Sequence, residues 1–324
     1  MTRAGGGISP DDANCRGVGG SVEWIDLVDP DEQTLYTAMR ASTHPLAIEQ
    51  LLAPKTHQDD PRPMLEEHDG YVFGVFLAPR LDLETGEVGY QEINLVLAPD
   101  GVLSVRKTCP RHGLFDTSEV RRLHEEGRVS DPGILAYRLI DEIAESFLTL
   151  TDRLNVRIDE LEDHIEDWSA LRVRSQLSAL RHEMLHIRRV LAPTRDAVRR
   201  VIDNRVDIRL SVGELFHRDV EIQFGNAFDK LLRASEAIDL CRDLVAGVRD
   251  YHQSKVSNDQ NEVMKRLTVI ASLLLLPAFI VGLYGMNIKG IPEYRLAHGY
   301  ALVWGLIIAT TIAQVVYFRL KRWI

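Results

Sequence analysis

Two almost uncharged runs near the end of the chain restrict its fold more than any other feature. Leu267 to Asn287 reads LTVIASLLLLPAFIVGLYGMN, and after about a dozen more polar residues a second run extends from Tyr300 to Leu320. At about 1.5 Å of rise per residue, either run as a helix crosses a hydrocarbon core of ~30 Å. In lipid every backbone polar group must bond within its own segment, so two spanning helices are expected, at 267–286 and 300–320. They are joined by a loop at 287–299, and residues 321–324 form a basic terminus, Lys321-Arg322-Trp323-Ile324.

Everything before Leu267 is soluble in character. The net charge is −10 at pH 7, and no basic cluster is sized for a duplex. That balance argues against nucleic acid as a partner and makes cations the natural counterparts. Residues 1–20, MTRAGGGISPDDANCRGVGG, lack the apolar core of a secretory signal and are expected to be a disordered leader. Cys15, Cys109 and Cys241 lie far apart, in no spacing that makes a metal knuckle or a disulfide framework, which fits a reducing cytosol.

Residues 21–130 mix short helices with strands and are read as an α/β domain. Val22 to Val28 alternates like a strand, Asp31 to Ala41 and Pro45 to Leu52 carry helical patterns, and Tyr71 to Leu77 is an apolar strand. Pro99-Asp100-Gly101 between Ile93–Leu97 and Val102–Val105 has hairpin chemistry, and a further turn is expected over Arg80 to Gly89. Beyond Ser130-Asp131-Pro132-Gly133 the period changes. Ile143, Phe147, Leu150, Leu154, Ile158, Leu161, Ile165 and Trp168 then follow steps of three and four, and Leu177, Leu180, Met184, Ile187 and Leu191 continue them. An antiparallel helical pair is therefore expected over 131–206, with a kink at Pro193.

A third helical stretch starts near Val212 and meets no strong breaker before Pro277. It predicts a stalk helix over 207–266 that continues into the first span. Lys255, Lys265 and Arg266 precede that span, and Arg319, Lys321 and Arg322 close the second. By the positive-inside rule both termini face the cytoplasm. The fold class is thus an α+β cytosolic domain, a mixed sheet with flanking helices, with a long stalk helix and a helical membrane domain of two spans.

Several of these residues together resemble a known family. Tyr284-Gly285-Met286-Asn287 ending the first span, Pro292-Glu293 in the loop and the basic terminus are similar to CorA-type divalent-cation transporters. Asn261-Glu262-Val263-Met264-Lys265 before the span, His44-Pro45-Leu46, and Trp24 with Asp26 fit the same family. A Gly-Met-Asn tripeptide alone arises by chance at about one position in ten thousand, so its place at the end of a span carries the weight. The resemblance covers nearly the whole chain after the leader.

The resemblance implies a funnel-shaped homopentamer in the inner membrane, with Gly285, Met286 and Asn287 as selectivity filter. Magnesium holds its water shell tightly, and carboxamide oxygens accept hydrogen bonds from such waters without adding fixed charge. Binding then stays weak enough for release. Asn261, Met264, Leu267, Ala271, Leu275, Ala278 and Gly282 recur every three or four residues and form one helical stripe. Spacing alone favours packing in a helix bundle; the resemblance assigns the stripe to the pore, with Met264, Leu267 and Leu275 as apolar rings able to block a hydrated ion.

The chain also departs from the family pattern. Ala278 stands where threonine is common, and Lys289 where an acidic residue is common, opposing Glu293 at the outer mouth. Gly290-Ile291-Pro292 is similar to the ZntB-type zinc branch. The resemblance further implies a cytosolic magnesium sensor, placed on Asp250 of the stalk with Asp82 as partner, and an inner basic ring of Arg319, Lys321 and Arg322. The acidic run Asp159, Glu160, Glu162, Asp163, Glu166 and Asp167 is read as a solvated face, with a cation-concentrating surface as its functional alternative.

The expected function is conduction of hydrated Mg²⁺, with Co²⁺ or Ni²⁺ passing as well, gated by cytosolic Mg²⁺. The alternatives are a Zn²⁺ transporter, proton-coupled in one form, and a non-conducting membrane-anchored sensor or scaffold. No nucleophile elbow, phosphate loop or thiol cluster is present, so an enzyme is not expected.

Overall fold

The structure is a computed structural model and describes residues 15–17, 22–38, 45–53, 61–82, 87–108, 112–129, 131–206, 209–210, 213–286 and 298–323. It divides into two compact units, Met1–Ala246 and Gly247–Ile324.

The first unit is built on a six-stranded sheet. Its strands are β1 (Cys15–Gly17), β2 (Glu23–Val28), β3 (Met64–His68), β4 (Tyr71–Leu81), β5 (Val88–Ala98) and β6 (Gly101–Arg106), in the order β1-β2-β6-β5-β4-β3. β3 to β6 form an antiparallel meander, while β2 pairs with β6 in parallel, Trp24 opposite Val102. That pairing needs a crossover, and α1 (Glu32–Ala38) and α2 (Pro45–Leu52) lie on it. Two-residue loops at Asp69-Gly70 and Pro99-Asp100 close the hairpins, with His68 opposite Tyr71 and Ala98 opposite Gly101. Gly70, at φ +87°, takes the left-handed conformation the first of these requires.

Helices cover this sheet. After α3 (Ser118–Glu125), the Asp131 carboxylate accepts from the N–H groups of Gly133 and Ile134 at 2.8 and 3.1 Å and starts α4 (Pro132–Asp163), with Pro132 in the first turn. Ile143, Phe147, Leu150, Leu154, Ile158 and Leu161 are all buried, as their spacing predicts. Ser169 caps α5 (Ala170–Ile202), which runs through Pro193 as one helix. α6 (Arg218–Tyr284) begins in this unit and ends in the second, where α7 (Gly299–Leu320) completes the described elements.

Several expectations are corrected. Within the predicted disordered leader, Cys15–Gly17 form a strand, antiparallel to β2. The turn expected over Arg80 to Gly89 is shorter, because Arg80 pairs with Gly89 and Leu81 with Val88. The strand Met64–His68 went unread because two adjacent glutamates mask its alternation, although Asp69-Gly70 signals the hairpin. Trp168 lies in the link between α4 and α5 and not on the helical seam. The long helix starts at Arg218 and not near Val212, because β7 (Arg209–Leu210) and β8 (Gly213–Glu214) form a short hairpin first. Gly285 and Met286 lie just past the helix end at Tyr284.

Candidate permeation surface

α6 and α7 are both long and apolar enough to cross a membrane. α7 has a covered face made by Val303, Ile307, Thr311, Gln314 and Phe318, at steps of three or four. On α6 the covered row is Val269, Leu273, Leu276 and Ile280, and the Gln314 amide donates to the Ser272 carbonyl oxygen across the pair at 3.1 Å. At 3.6 residues per turn, the stripe Asn261, Met264, Leu267, Ala271, Leu275, Ala278 and Gly282 lies about half a turn away from that row. All seven residues are exposed, with Met264 59%, Leu267 57% and Leu275 73% accessible. Coverage by α7 thus divides α6 in two, and the stripe is the part of the uncovered surface farthest from α7.

The stripe ends at a tight turn. The Gly285 N–H still bonds the Val281 carbonyl at 2.8 Å, and a Cβ at Gly285 would sit 3.0 Å from the same oxygen. Glycine lets the helix stop there without displacing its own backbone. Met286 beyond it is exposed. Asn287, Lys289 and Glu293 lie outside the described residues, as do His44 and the peptide Gly290-Ile291-Pro292.

At the other end of α7 the last turn closes through Arg322 N–H to Arg319 O at 3.1 Å and Trp323 N–H to Phe318 O at 2.9 Å, with Arg322 at φ +54°. This is a Schellman closure with arginine in the place glycine usually takes. Trp323 stacks on Phe318, and Arg319, Lys321 and Arg322 remain exposed.

The expected regulatory residues belong to different units. Asp82 is buried at the end of β4, its N–H donating to Glu87 O at 3.0 Å, whereas Asp250 is exposed on α6 and paired with Arg249 at 2.9 Å. Among the described residues no group of three or more histidines, cysteines or carboxylates is placed to hold a metal ion. The acidic residues Asp159, Glu160, Glu162 and Asp163 on α4 and Glu166 and Asp167 beyond it are exposed.

Trp24 and Asp26 hold the sheet to α3. Asp26, 2% exposed, accepts from Ser104 Oγ at 2.7 Å, from Arg106 Nη2 and Nε at 2.7 and 3.1 Å, and from Arg121 Nη2 at 3.1 Å. Trp24 Nε1 donates to the same serine hydroxyl at 3.0 Å. A second charged cluster joins α4 to α6, where the Lys230 ammonium meets Asp141 and Glu145, each at 2.9 Å. Burial opposes the charge on Lys230, but these two bonds outweigh it and hold its pKa above the usual lysine value. Burial, reinforced by Asp141, pushes neighbouring Glu142 above the usual carboxylate range. Cys241 is buried, its thiol donating to Asn155 Oδ1 at 3.1 Å, and burial raises its pKa, which makes it unreactive.

The family profile described as CorA-like Mg²⁺ transporter protein matches residues 19–322. The chain belongs to the CorA family. Among CorA relatives, the cobalt/magnesium transport protein CorA of Thermotoga maritima is 28% identical over 283 residues, which are 87% of this chain and 77% of that protein. The zinc transport protein ZntB of Yersinia enterocolitica is 22% identical over 57% of this chain and 54% of its own length. The fold matches the complete structure of the CorA magnesium transporter from Methanocaldococcus jannaschii, with a TM-score of 0.74 over 94% of this chain and 92% of that one, at 21% identity. CorA membership makes this chain a membrane-embedded divalent-cation transporter, in a family of transporters that is not an enzyme class.

Sequence reasoning missed Gln314 and the Asp26–Arg106–Arg121 network. An amide in an otherwise apolar span is a visible signal for the first. Nothing in local spacing announces the second, because Asp26 lies 80 and 95 residues from its two arginines.

Proposed function

We propose that the chain acts as a homopentamer in the inner membrane, both termini cytoplasmic, conducting hydrated Mg²⁺ down its gradient through a pore lined by the α6 stripe. Co²⁺ and Ni²⁺ pass by the same route. The observation that carries this reading is the position of the stripe: one uncovered row of α6, facing away from α7 and running to Gly285 and Met286. Two spans enclose no pore, so the uncovered rows of several copies must face a common axis. There, rings of Met264, Leu267 and Leu275 make a dry constriction in the closed state. Asn287 carboxamides bind the ion through its own waters at the outer end, where Lys289 and Glu293 oppose each other in charge. Arg319, Lys321 and Arg322 ring the inner mouth. Magnesium between Asp82 and Asp250 of neighbouring protomers screens their repulsion and favours closure.

The test is flux into liposomes containing the purified chain at fixed membrane potential, with Mg²⁺, Co²⁺ and Zn²⁺ compared. Mg²⁺ entry that Asn287→Ala abolishes is expected. The ZntB relative and the Gly290-Ile291-Pro292 sequence, similar to the ZntB branch, favour a second reading, zinc transport. It predicts Zn²⁺ entry that exceeds Mg²⁺ entry and responds to a proton gradient. Ion entry no greater than into protein-free liposomes, and unchanged by Asn287→Ala, would leave a non-conducting sensor or scaffold as the surviving reading.

A further inference from the structure

Pro277 stands inside α6, within its membrane segment. Having no N–H, it leaves the carbonyl of Leu273, four residues earlier, without its intrahelical donor. The turn from Ser272 to Leu276 is therefore the most weakly closed part of the span, in a medium with no water to compensate. The Gln314 amide reaches into this turn from α7 and donates to the Ser272 carbonyl at 3.1 Å, next to the orphaned one. Other polar side chains in the spans bond inward to their own helix: Thr268 to Met264 O, Ser272 to Thr268 O and Thr311 to Ile307 O, each at 2.8 Å. Gln314 instead bonds across, from the covered face of α7, and its Oε1 is buried without a partner. An amide so placed is costly in a membrane and needs a function to offset it.

We propose that Gln314 is a positioning residue, a clamp that ties the proline-weakened turn of α6 to α7 and fixes the direction of the segment beyond it, Ala278 to Met286. In the clamped state the stripe residues Ala278 and Gly282, and the turn at Gly285, keep one orientation. Without it, the segment after Pro277 swings relative to α7. The consequence for conduction rests on the transport reading above; the clamp itself does not.

Gln314→Met isolates the bond, because methionine keeps the length of the side chain and loses the amide. Pro277→Ala restores the missing N–H and removes the need for a clamp. Hydrogen exchange of the amides from Leu273 to Gly282 is measured on the full chain in lipid nanodiscs for wild type, each single variant and the double variant. Exchange in Gln314→Met should be about three to fifteen times faster, the range spanned by one interhelical bond in a membrane. In the Pro277→Ala background the same substitution should change it less than twofold. Equal acceleration in both backgrounds, or none in either, overturns the clamp. Should Gln314→Met fail to assemble, Pro277→Ala must rescue assembly, and failure to rescue overturns it too. Mg²⁺ flux should fall in Gln314→Met, with a changed Mg²⁺ to Co²⁺ ratio, and Gln314→Met should have little further effect on flux in the Pro277→Ala background. Absence of flux in the wild-type chain would reject the transport reading while leaving the exchange result to judge the clamp.

Discussion

Asp26→Ala should destabilise the first unit by about 3 kcal/mol. The carboxylate is the common acceptor for Arg106, Arg121 and Ser104, and Arg106 is itself only 6% exposed at its side chain. Deleting one partner of a buried ion pair costs roughly 3–5 kcal/mol, because the other charge is left in a medium that solvates it poorly. Two features set the value near the low end. Arg106 keeps its bond from Nη1 to the Phe115 carbonyl at 2.7 Å, and Arg121, at 24% exposed, can turn toward water. With a urea dependence of about 1–3 kcal/mol per molar, the midpoint should fall by about 1–3 M. Trp24 is the natural reporter, since it is buried and bonded to Ser104. The assay is urea unfolding of the full chain in detergent, read by Trp24 fluorescence with Trp168, Trp304 and Trp323 replaced by phenylalanine. The double variant Asp26→Leu with Arg106→Met removes both charges and should recover most of the loss. A single-variant loss under about 1 kcal/mol, or a double variant as unstable as the single, would refute the reasoning.

Further outcomes follow from the same geometry. Leu275→Asn should raise Mg²⁺ leak when cytosolic Mg²⁺ is high, because a polar ring stays wet; Leu274→Asn, off the stripe, should not, and liposome flux compares them. Because Glu142 has a folded pKa above its unfolded value, the folded state holds the extra proton between them. Stability is then fully present below the unfolded value, about 4.3, and is lost as pH rises through the folded one. Glu142→Gln should therefore flatten the decline above about pH 4.3, and urea midpoints between pH 4 and 7 would show it. Gly101→Ala should cost about 1–3 kcal/mol, since its Cβ would lie 2.7 Å from the Glu23 carbonyl on the paired strand; the same fluorescence assay measures it.

What the sequence determined by itself was whatever is encoded in local periodicity and in the solvent each segment needs. The spans were legible because a bilayer demands an apolar run of fixed length. The seam from Ile143 to Leu161 was legible because a helix repeats every three or four residues, and Pro99-Asp100 because a two-residue turn has few solutions. The Gly-Met-Asn ending was legible as a motif from its place at the end of an apolar run; of its three residues, Gly285 and Met286 lie just past the helix end at Tyr284 and Asn287 lies outside the described residues. Periodicity failed where a partner distant in the chain decides the outcome. Val212 reads as a helix start, yet a short hairpin precedes Arg218; Cys15–Gly17 reads as a leader, yet it finds the edge of β2. Asp26 reads, with Trp24, as part of a family resemblance but without a partner until β6 and α3 bring two arginines to it. The stripe on α6 shows the division most clearly. Its spacing by itself favours packing over a pore, and the direction from which α7 covers the helix was fixed by tertiary structure, because burial is a property of neighbours and a periodic pattern names a face without naming what lies against it.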